Sequence, residues 1–256
     1  MSGNPPEAKA PEKDPLDEMS FLDHLEELRW SIIKGLMGIV VGVVIAIIFS
    51  DFIVNELLLG PARSDFFAYR LLGIDAVDLV LQNRTLPGQF FTYWGTLIVI
   101  GIIIGSPLFI YQLWKFLEPA FQRKEKRKTF AGTLFITFFF LLGISFGYLV
   151  LVPTALQFFT KFNLSDMVRN DFDINAYFTT VSAWVFSCGI VFQLPVVSYF
   201  LSRFGLLTPQ FLKEYRRHAI VLCFVISAFL TPPDPISQML MAVPLILLFQ
   251  FGVWIS

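Results

Sequence analysis

Residues 92–114 read TYWGTLIVIGIIIGSPLFIYQLW, a run of 23 residues without one charged side chain. About 20 helical residues, each rising about 1.5 Å, cross the roughly 30 Å hydrocarbon core of a bilayer. The run therefore predicts a helix that spans a membrane. The rest of the chain has to be interpreted around it.

The composition of the whole chain agrees with this prediction. Of its 256 residues, 55% are hydrophobic and only 15% are charged, whereas soluble domains carry about 25% charged residues. The mean hydropathy is +0.67, which excludes an ordinary soluble enzyme and a disordered chain. Long apolar runs, rather than short alternating strands, also argue against an outer-membrane barrel. The sequence predicts an all-α polytopic membrane protein, because lipid requires backbone polar groups to be paired within their own segment.

Five further apolar stretches flank the first. We predict six transmembrane helices, near residues 30–49, 92–114, 130–151, 177–201, 219–230 and 237–255, in one domain over residues 20–256. The fifth and sixth are short, and the fifth has only 12 residues, about 18 Å of helix. Prolines at 232, 233 and 235 must end a helix between them. We expect a tight hairpin there, with a re-entrant pair of helices as the alternative.

Charge in the loops predicts the orientation. Fourteen Lys and Arg residues fall on the side of the termini, against five on the other side, where nine acidic residues also lie. By the positive-inside rule both termini are cytoplasmic, and 51–89 and 153–176 are loops on the outside. Residues 1–19 are Pro-rich, acidic and free of aromatics, and are predicted to be a disordered cytoplasmic tail. They lack the features of a signal or transit peptide, which favours a prokaryotic plasma (inner) membrane.

No pattern in the sequence indicates catalysis. The two histidines, His24 and His218, fall at the cytoplasmic edge, and no HExxH motif or phosphate-binding loop is present. Cys188 and Cys223 lie in apolar runs and are expected to be small buried hydrophobes. We therefore predict that the protein is not an enzyme and has no metal site, no cofactor and no nucleic-acid partner.

Two stretches at the cytoplasmic face attract attention. Residues 20–29, SFLDHLEELR, predict an amphipathic interfacial helix that leads directly into the first span. Its acidic residues are either a solvated face beside an Arg29 anchor or a docking site for a cationic partner. In the second stretch, 115–128, five Lys and Arg residues lie within three positions of Glu125, so that carboxylate is expected to be ionised. Gln193 is a polar residue at a depth where the predicted fourth span lies in the membrane. It either makes a hydrogen bond to another helix or has a functional role, and the sequence supports both interpretations equally.

Four stretches carry a family resemblance: FLDHLEELR at 21–29, SPLFIYQLWKFLEPA at 106–120 with KEKR at 124–127, FGYLVLVP at 146–153, and LTPPDPISQ at 230–238. In this order, on six predicted spans, they resemble the TatC family of the twin-arginine (Tat) protein export system. The resemblance covers residues 20–254. It implies a receptor for signal peptides with two consecutive arginines, and the core of a translocase for folded proteins driven by the proton-motive force.

The resemblance also implies site residues and partners. Glu27 and Glu125 match the family carboxylates for the signal-peptide arginines, Leu28 and Arg29 share the first motif, and Phe116 lies in the loop motif. Five further positions match residues related to partners or translocation: Pro61, Gln193, Thr231, Asp234 and Gln238. The family commonly has a glutamate where Gln193 stands. Expected partners are single-span TatA- and TatB-like proteins, twin-arginine signal peptides, membrane lipids and further copies of this chain.

Two other functions are considered. A secondary solute or ion transporter should have a charged residue near mid-bilayer and often an internal repeat, and neither is visible in the sequence. The third possible function is that of a membrane scaffold without a ligand. The acidic helix and Glu125 argue against it only weakly.

Overall fold

The structure is a computed structural model that describes residues 21–117, 126–165, 170–203, 215–231 and 235–255. The tail predicted over residues 1–19 lies outside the described residues, as do Glu125 and Asp234. Ten α-helices are described, in the following order: α1 Phe21–Ile48, α2 Ser50–Phe52, α3 Phe67–Leu72, α4 Gly88–Leu117, α5 Lys126–Phe146, α6 Val152–Lys161, α7 Ile174–Val191, α8 Leu194–Arg203, α9 Arg216–Leu230 and α10 Pro235–Ile255.

The prediction of a polytopic helical membrane protein is confirmed. Four helical stretches are long and apolar enough to cross a membrane: Leu25–Ile48, Gly88–Phe116, Gly132–Lys161 and Ile174–Ser198. The end of the bundle that carries residues 50–87, 162–165 and 170–173 is called the outer end below, after the charge distribution in the sequence. The opposite end is the cytoplasmic end.

The antiparallel pair of α1 and α4 makes the most extensive contact between described elements. Its helices approach so closely because glycines face each other. A Cβ added to Gly42 would lie 2.2 Å from the Gly101 carbonyl oxygen, and one on Gly105 would lie 2.6 Å from the Ile39 Cα. Small residues are the usual means of close helix packing in lipid, where no hydrophobic effect drives helices together.

A second group of helices packs through α5, α7 and α10. Gly143 lies against α7, where an added Cβ would come within 2.6 Å of the Cys188 carbonyl oxygen. Cys188 and Cys223 are both buried and free, as expected, in a cluster with Leu151, Met241 and Leu245. The cluster joins α9 and α10 to the four-span part of the bundle.

The third span extends beyond its predicted limits. We expected it to end at Leu151 and Pro153 to begin an outside loop, and this is wrong, because the helix continues through Pro153 to Lys161. A π-helical segment, Gly147–Leu151, precedes the proline, and the Val152 N–H reaches the Gly147 carbonyl five residues back. The wider turn avoids the clash between a proline ring and the carbonyl four residues before it.

The last three predicted spans also differ in detail. The fourth is interrupted at Phe192 and Gln193, just before Pro195, and resumes as α8. The fifth, α9, has 15 residues rather than 12, about 22 Å of helix. The sixth, α10, has 21 residues, but its apolar part, Gln238–Val253, is shorter than the four spanning stretches, as predicted.

The outer end contains a small sheet that the sequence did not predict. Leu81–Gln82 (β1) and Phe172–Asp173 (β2) pair in parallel, with Leu81 opposite Phe172. Two residues per strand are too few for the alternation of side chains that reveals strands in a sequence. The pairing ties the segment before α4 to the start of α7.

Gly101→Val should destabilise the protein by about 1–3 kcal/mol or more, because its side chain would meet the Val43 backbone. Thermal unfolding in detergent, followed by size-exclusion chromatography, measures the effect. Ile98→Val on the exposed side of the same helix is the control and should unfold close to the wild-type temperature. Equal stability of the two variants would contradict the close packing of α1 and α4.

Candidate functional site

The cytoplasmic end of α1 carries the first predicted site residues. The helix is unbroken from Phe21 into the first span, as predicted for the interfacial helix. Glu27 and Leu28 are half-buried, whereas Glu26 and Arg29 are exposed. A carboxylate at Glu27 is thus held on a helix that begins outside the membrane and is partly shielded by its neighbours.

The packing of α1 on α4 places the second motif at the same height. Gly35 lies against Phe109 and Gly38 against Leu108. Continued toward the cytoplasmic end, this antiparallel register puts Glu27 level with residue 117, the last of α4. Phe116 is half-buried there. Glu125 lies outside the described residues, directly before Lys126, where α5 begins.

At the outer end, Pro61 is fully buried in a segment that three tyrosine hydroxyls hold. The Tyr69 hydroxyl donates to the Pro61 carbonyl at 2.6 Å, Tyr148 to the Leu57 carbonyl at 2.7 Å and Tyr177 to the Leu58 carbonyl at 2.8 Å. The three donors come from three different helices. They satisfy carbonyls at the end of a π-helix, Ile53–Leu58, that continues into a 3₁₀ turn.

Burial raises the pKa of Tyr69 to about 12. The Tyr69 hydroxyl therefore stays protonated, and donates its hydrogen bond, at any physiological pH. The sequence showed Tyr148 only as part of a motif, and nothing in the sequence indicated that Tyr69 and Tyr177 converge on the same segment.

A polar cluster closes the outer end between β1 and α7. Asp173 caps α7, accepting hydrogen bonds from the backbone N–H groups of Asn175 and Ala176, and also from that of Arg84. The Arg84 bond, followed by the other two, holds the pKa of Asp173 below its usual value. Asn175 also joins Thr85 and Thr92. The start of the second span is thereby fixed to the start of the fourth.

Gln193 lies in the interruption of the fourth span. Its Nε2 donates to the Ile136 carbonyl oxygen of α5 at 3.2 Å, which is the helix–helix hydrogen bond considered above. Its Oε1 is buried and accepts no hydrogen bond from the described residues, and the hydroxyl of Thr137 is in the same situation. Thr137 directly follows the residue whose carbonyl Gln193 bonds, so both unpaired groups belong to the packing of α5 against the fourth span.

The polar residues near the last hairpin bond mainly within the chain. Thr231 is buried, and its hydroxyl donates to the Ser227 carbonyl. Ser227 in turn donates to the Gln238 carbonyl, and Gln238 Nε2 reaches the Phe224 carbonyl at 3.4 Å. Ser227 and Gln238 therefore join α9 to α10, whereas the Thr231 hydroxyl bonds within the end of α9. Asp234 is outside the described residues.

In the described ranges no three His, Cys, Asp or Glu side chains lie close enough together to hold a metal ion. The exposed ion pairs, such as that of Lys161 with Asp75, lie at the outer end and are worth little individually.

The fold and these positions define a polytopic helical membrane protein. It has acidic groups at the cytoplasmic end, and hydrogen bonds join its loops to its helices at the outer end. Residues 23–244 match the sequence model of the family described as Sec-independent protein translocase protein (TatC). The chain belongs to the TatC family.

Known relatives agree over almost the whole chain. A Sec-independent protein translocase protein TatC from Blattabacterium sp. subsp. Periplaneta americana is 34% identical, over 95% of this chain and 97% of that protein. The TatC of Aquifex aeolicus is 32% identical over 93% and 95%. A solved structure, a twin arginine translocase receptor TatC in DDM, matches with a TM-score of 0.70 and 32% identity, over 90% of this chain and 98% of that one.

Gln193→Leu should impair protein export several-fold while leaving membrane insertion intact. Leucine keeps the volume but removes both the bond to the Ile136 carbonyl, worth about 0.6–2 kcal/mol in lipid, and the buried acceptor. Export of a reporter and the amount of membrane-inserted protein should be measured together. Gln250→Leu, at an exposed position of α10, is the control. Normal export by Gln193→Leu would show that the amide has no functional role.

Proposed function

We propose that this chain is the receptor for twin-arginine signal peptides and the core subunit of a translocase that exports folded proteins. Membership of the TatC family over residues 23–244 is the observation that carries this proposal. The related solved structure is named a twin arginine translocase receptor, which supports extending that role to this chain. The resemblance further implies that the proton-motive force drives transport.

The proposed recognition chemistry uses Glu27 and Glu125. An arginine guanidinium can bind a carboxylate through two parallel hydrogen bonds, whereas a lysine ammonium acts as a point charge. Two carboxylates can therefore read two consecutive arginines. The register of α1 on α4 supports this role, because it brings Glu27 to the end of the helix that leads toward Glu125. Basic residues around Glu125 would repel cations that do not make these paired bonds.

Leu28, Arg29 and Phe116 complete the proposed signal-peptide site. Leu28 and Phe116 are half-buried at the same end of the α1–α4 pair, so they can contact apolar residues beside the two arginines. The exposed Arg29 lies at the expected membrane edge and can anchor the helix to lipid phosphate.

The transporter alternative has less support. The span Ile174–Ser198 contains no charged residue, and in Gly88–Phe116 the single charged residue is Lys115, near the end. A transported ion or polar solute would meet only neutral groups such as Gln193 at that depth.

Glu27→Gln and Glu125→Gln should each weaken binding of a twin-arginine signal peptide by about 1–3 kcal/mol, roughly 5- to 150-fold in Kd. Each change removes the negative charge and one acceptor but keeps the side-chain size. Binding of a fluorescent signal peptide to the full chain in nanodiscs measures the effect.

Glu26→Gln is the matched control, because it removes the same charge from the neighbouring, exposed position. A twin-lysine peptide serves as the second control and should bind the unchanged protein more weakly. If both glutamine variants bind the twin-arginine peptide like the wild type, the carboxylate proposal is wrong.

We further propose that the protein works in the plasma (inner) membrane of a prokaryote with single-span TatA- and TatB-like partners, which pack along α9 and α10. Large apolar side chains on these two helices are exposed: Val221, Leu222, Phe224, Val225, Phe229, Met239, Val243 and Leu247. Helix α9 is about 22 Å long, so lipid beside it must thin or tilt. A locally thinned bilayer would favour both the docking of a partner helix and the passage of folded cargo.

Five leucines inserted after Phe224 should abolish export and leave signal-peptide binding intact. The insertion lengthens α9 to about 30 Å and removes the mismatch. Cysteine pairs between a partner span and residues 226–240 should form disulfides in the wild type and fail to form in the variant.

The control places the same five leucines after Gly73, in an exposed turn where a Cβ on the glycine would meet nothing within 4 Å. That variant should export normally. Survival of export after the Phe224 insertion would show that the short helix plays no part in the mechanism.

A further inference from the structure

An apolar cavity of about 510 Å³ lies inside the outer half of the bundle. Four parts of the chain form its wall: the segment after α1, the outer half of α4, residues 144–149 at the junction of α5 and the π-helical segment, and α7 from Phe178 to Val185. The wall is made almost entirely of hydrocarbon side chains. Phe49, Phe52 and Ile104 at its rim are exposed, so the cavity opens sideways toward the bilayer.

The wall suits water poorly, because Thr96, Ser145, Tyr148 and Ser182 bring the only hydroxyls among the described residues of its lining. A buried water needs two to four polar partners. The Thr96 hydroxyl already donates to the Thr92 carbonyl at 2.7 Å, and the Tyr148 hydroxyl donates to the Leu57 carbonyl. An unfilled space of this size would instead forfeit dispersion contacts along all its walls. The cavity therefore suits an apolar occupant that makes no hydrogen bonds within it.

The dimensions distinguish between apolar occupants. Eight residues separate Thr96 from Ile104, so the cavity is about 12 Å long. A spanning helix has to cross the whole hydrocarbon core of about 30 Å, whereas the acyl chains of one leaflet fill about half of that thickness. The length of the cavity therefore matches the acyl chains of one leaflet and is too short for a spanning helix.

We propose that this cavity binds the acyl chains of one phospholipid from the outer leaflet. Its depth agrees, since Thr96 and Ile104 lie about 12 and 24 Å along α4 from Gly88, where the helix begins at the outer end. The bound chains complete the packing between the α1–α4 pair and α7. They also support the segment that carries Leu57 and Leu58, whose carbonyls the tyrosines hold. The proposal does not depend on the proposed function.

The test uses the full chain in nanodiscs that contain a phosphatidylglycerol with a photoreactive diazirine in the middle of one acyl chain. Mass spectrometry locates the labelled residues after illumination. We expect adducts within 99–104 and 144–149 that exceed those on the exposed faces of α1. Labelling of these segments no stronger than that of the exposed faces would overturn the proposal.

Ser182→Phe fills the cavity from α7, and Val99→Phe fills it from α4. Each should reduce cavity labelling at least fivefold, and native mass spectrometry should show loss of one retained phospholipid. Ala183→Phe, exposed at the next position of α7, is the matched control and should keep both. Two filling variants are used so that one can still be measured if the other fails to fold. Unchanged lipid retention in a folded filling variant would contradict the site.

A final experiment distinguishes a bound lipid from a bound signal peptide. A twin-arginine peptide with a photoreactive residue in its apolar stretch should not label the residues of the cavity wall. Labelling of that wall by the peptide, displaced by Ser182→Phe, would assign the cavity to the peptide and overturn the lipid proposal.

Discussion

A bilayer supplies no water to a free backbone carbonyl, so each interruption of a spanning helix has to be satisfied by the protein itself. After α1 the chain changes to a π-helix, and hydroxyls of Tyr69, Tyr148 and Tyr177 take up its last carbonyls and that of Pro61. In the third span, the π-helical turn at 147–151 makes room for Pro153. Where the fourth span breaks, the Gln193 amide bonds to α5.

These local solutions divide the molecule into two ends with different properties. At the outer end, tyrosines, the Asp173 cap and the parallel pairing of Leu81 with Phe172 join the loops to the helices. At the cytoplasmic end, α1 carries Glu26 and Arg29, which are exposed, and Glu27, which is half-buried. This difference suits a receptor. The hydrogen-bonded outer end holds the helices in position, and the charged cytoplasmic end remains accessible to a peptide.

The sequence was sufficient for the fold class, because charge-free runs of about 20 residues leave few alternatives in lipid. The family motifs then indicated Glu27 and the other site positions. The interruptions were not predictable in the same way. Pro153 reads as a helix end unless the preceding π-turn is known, and Pro195 cannot be told apart in the sequence from Pro107 and Pro244, which lie inside unbroken helices. The convergence of Tyr69 and Tyr177 on one segment depends on tertiary packing, which periodicity does not encode.

The central claim is that two consecutive arginines are read at the cytoplasmic end of the α1–α4 pair. It is tested most directly by a signal peptide that carries a photoreactive residue immediately beside its two arginines. Adducts on the full chain in nanodiscs, located by mass spectrometry, should concentrate in residues 21–31 and 115–128. A twin-lysine peptide should give about tenfold fewer, because ammonium groups lack the paired geometry. Adducts at the outer end, or equal labelling by the twin-lysine peptide, would contradict the account.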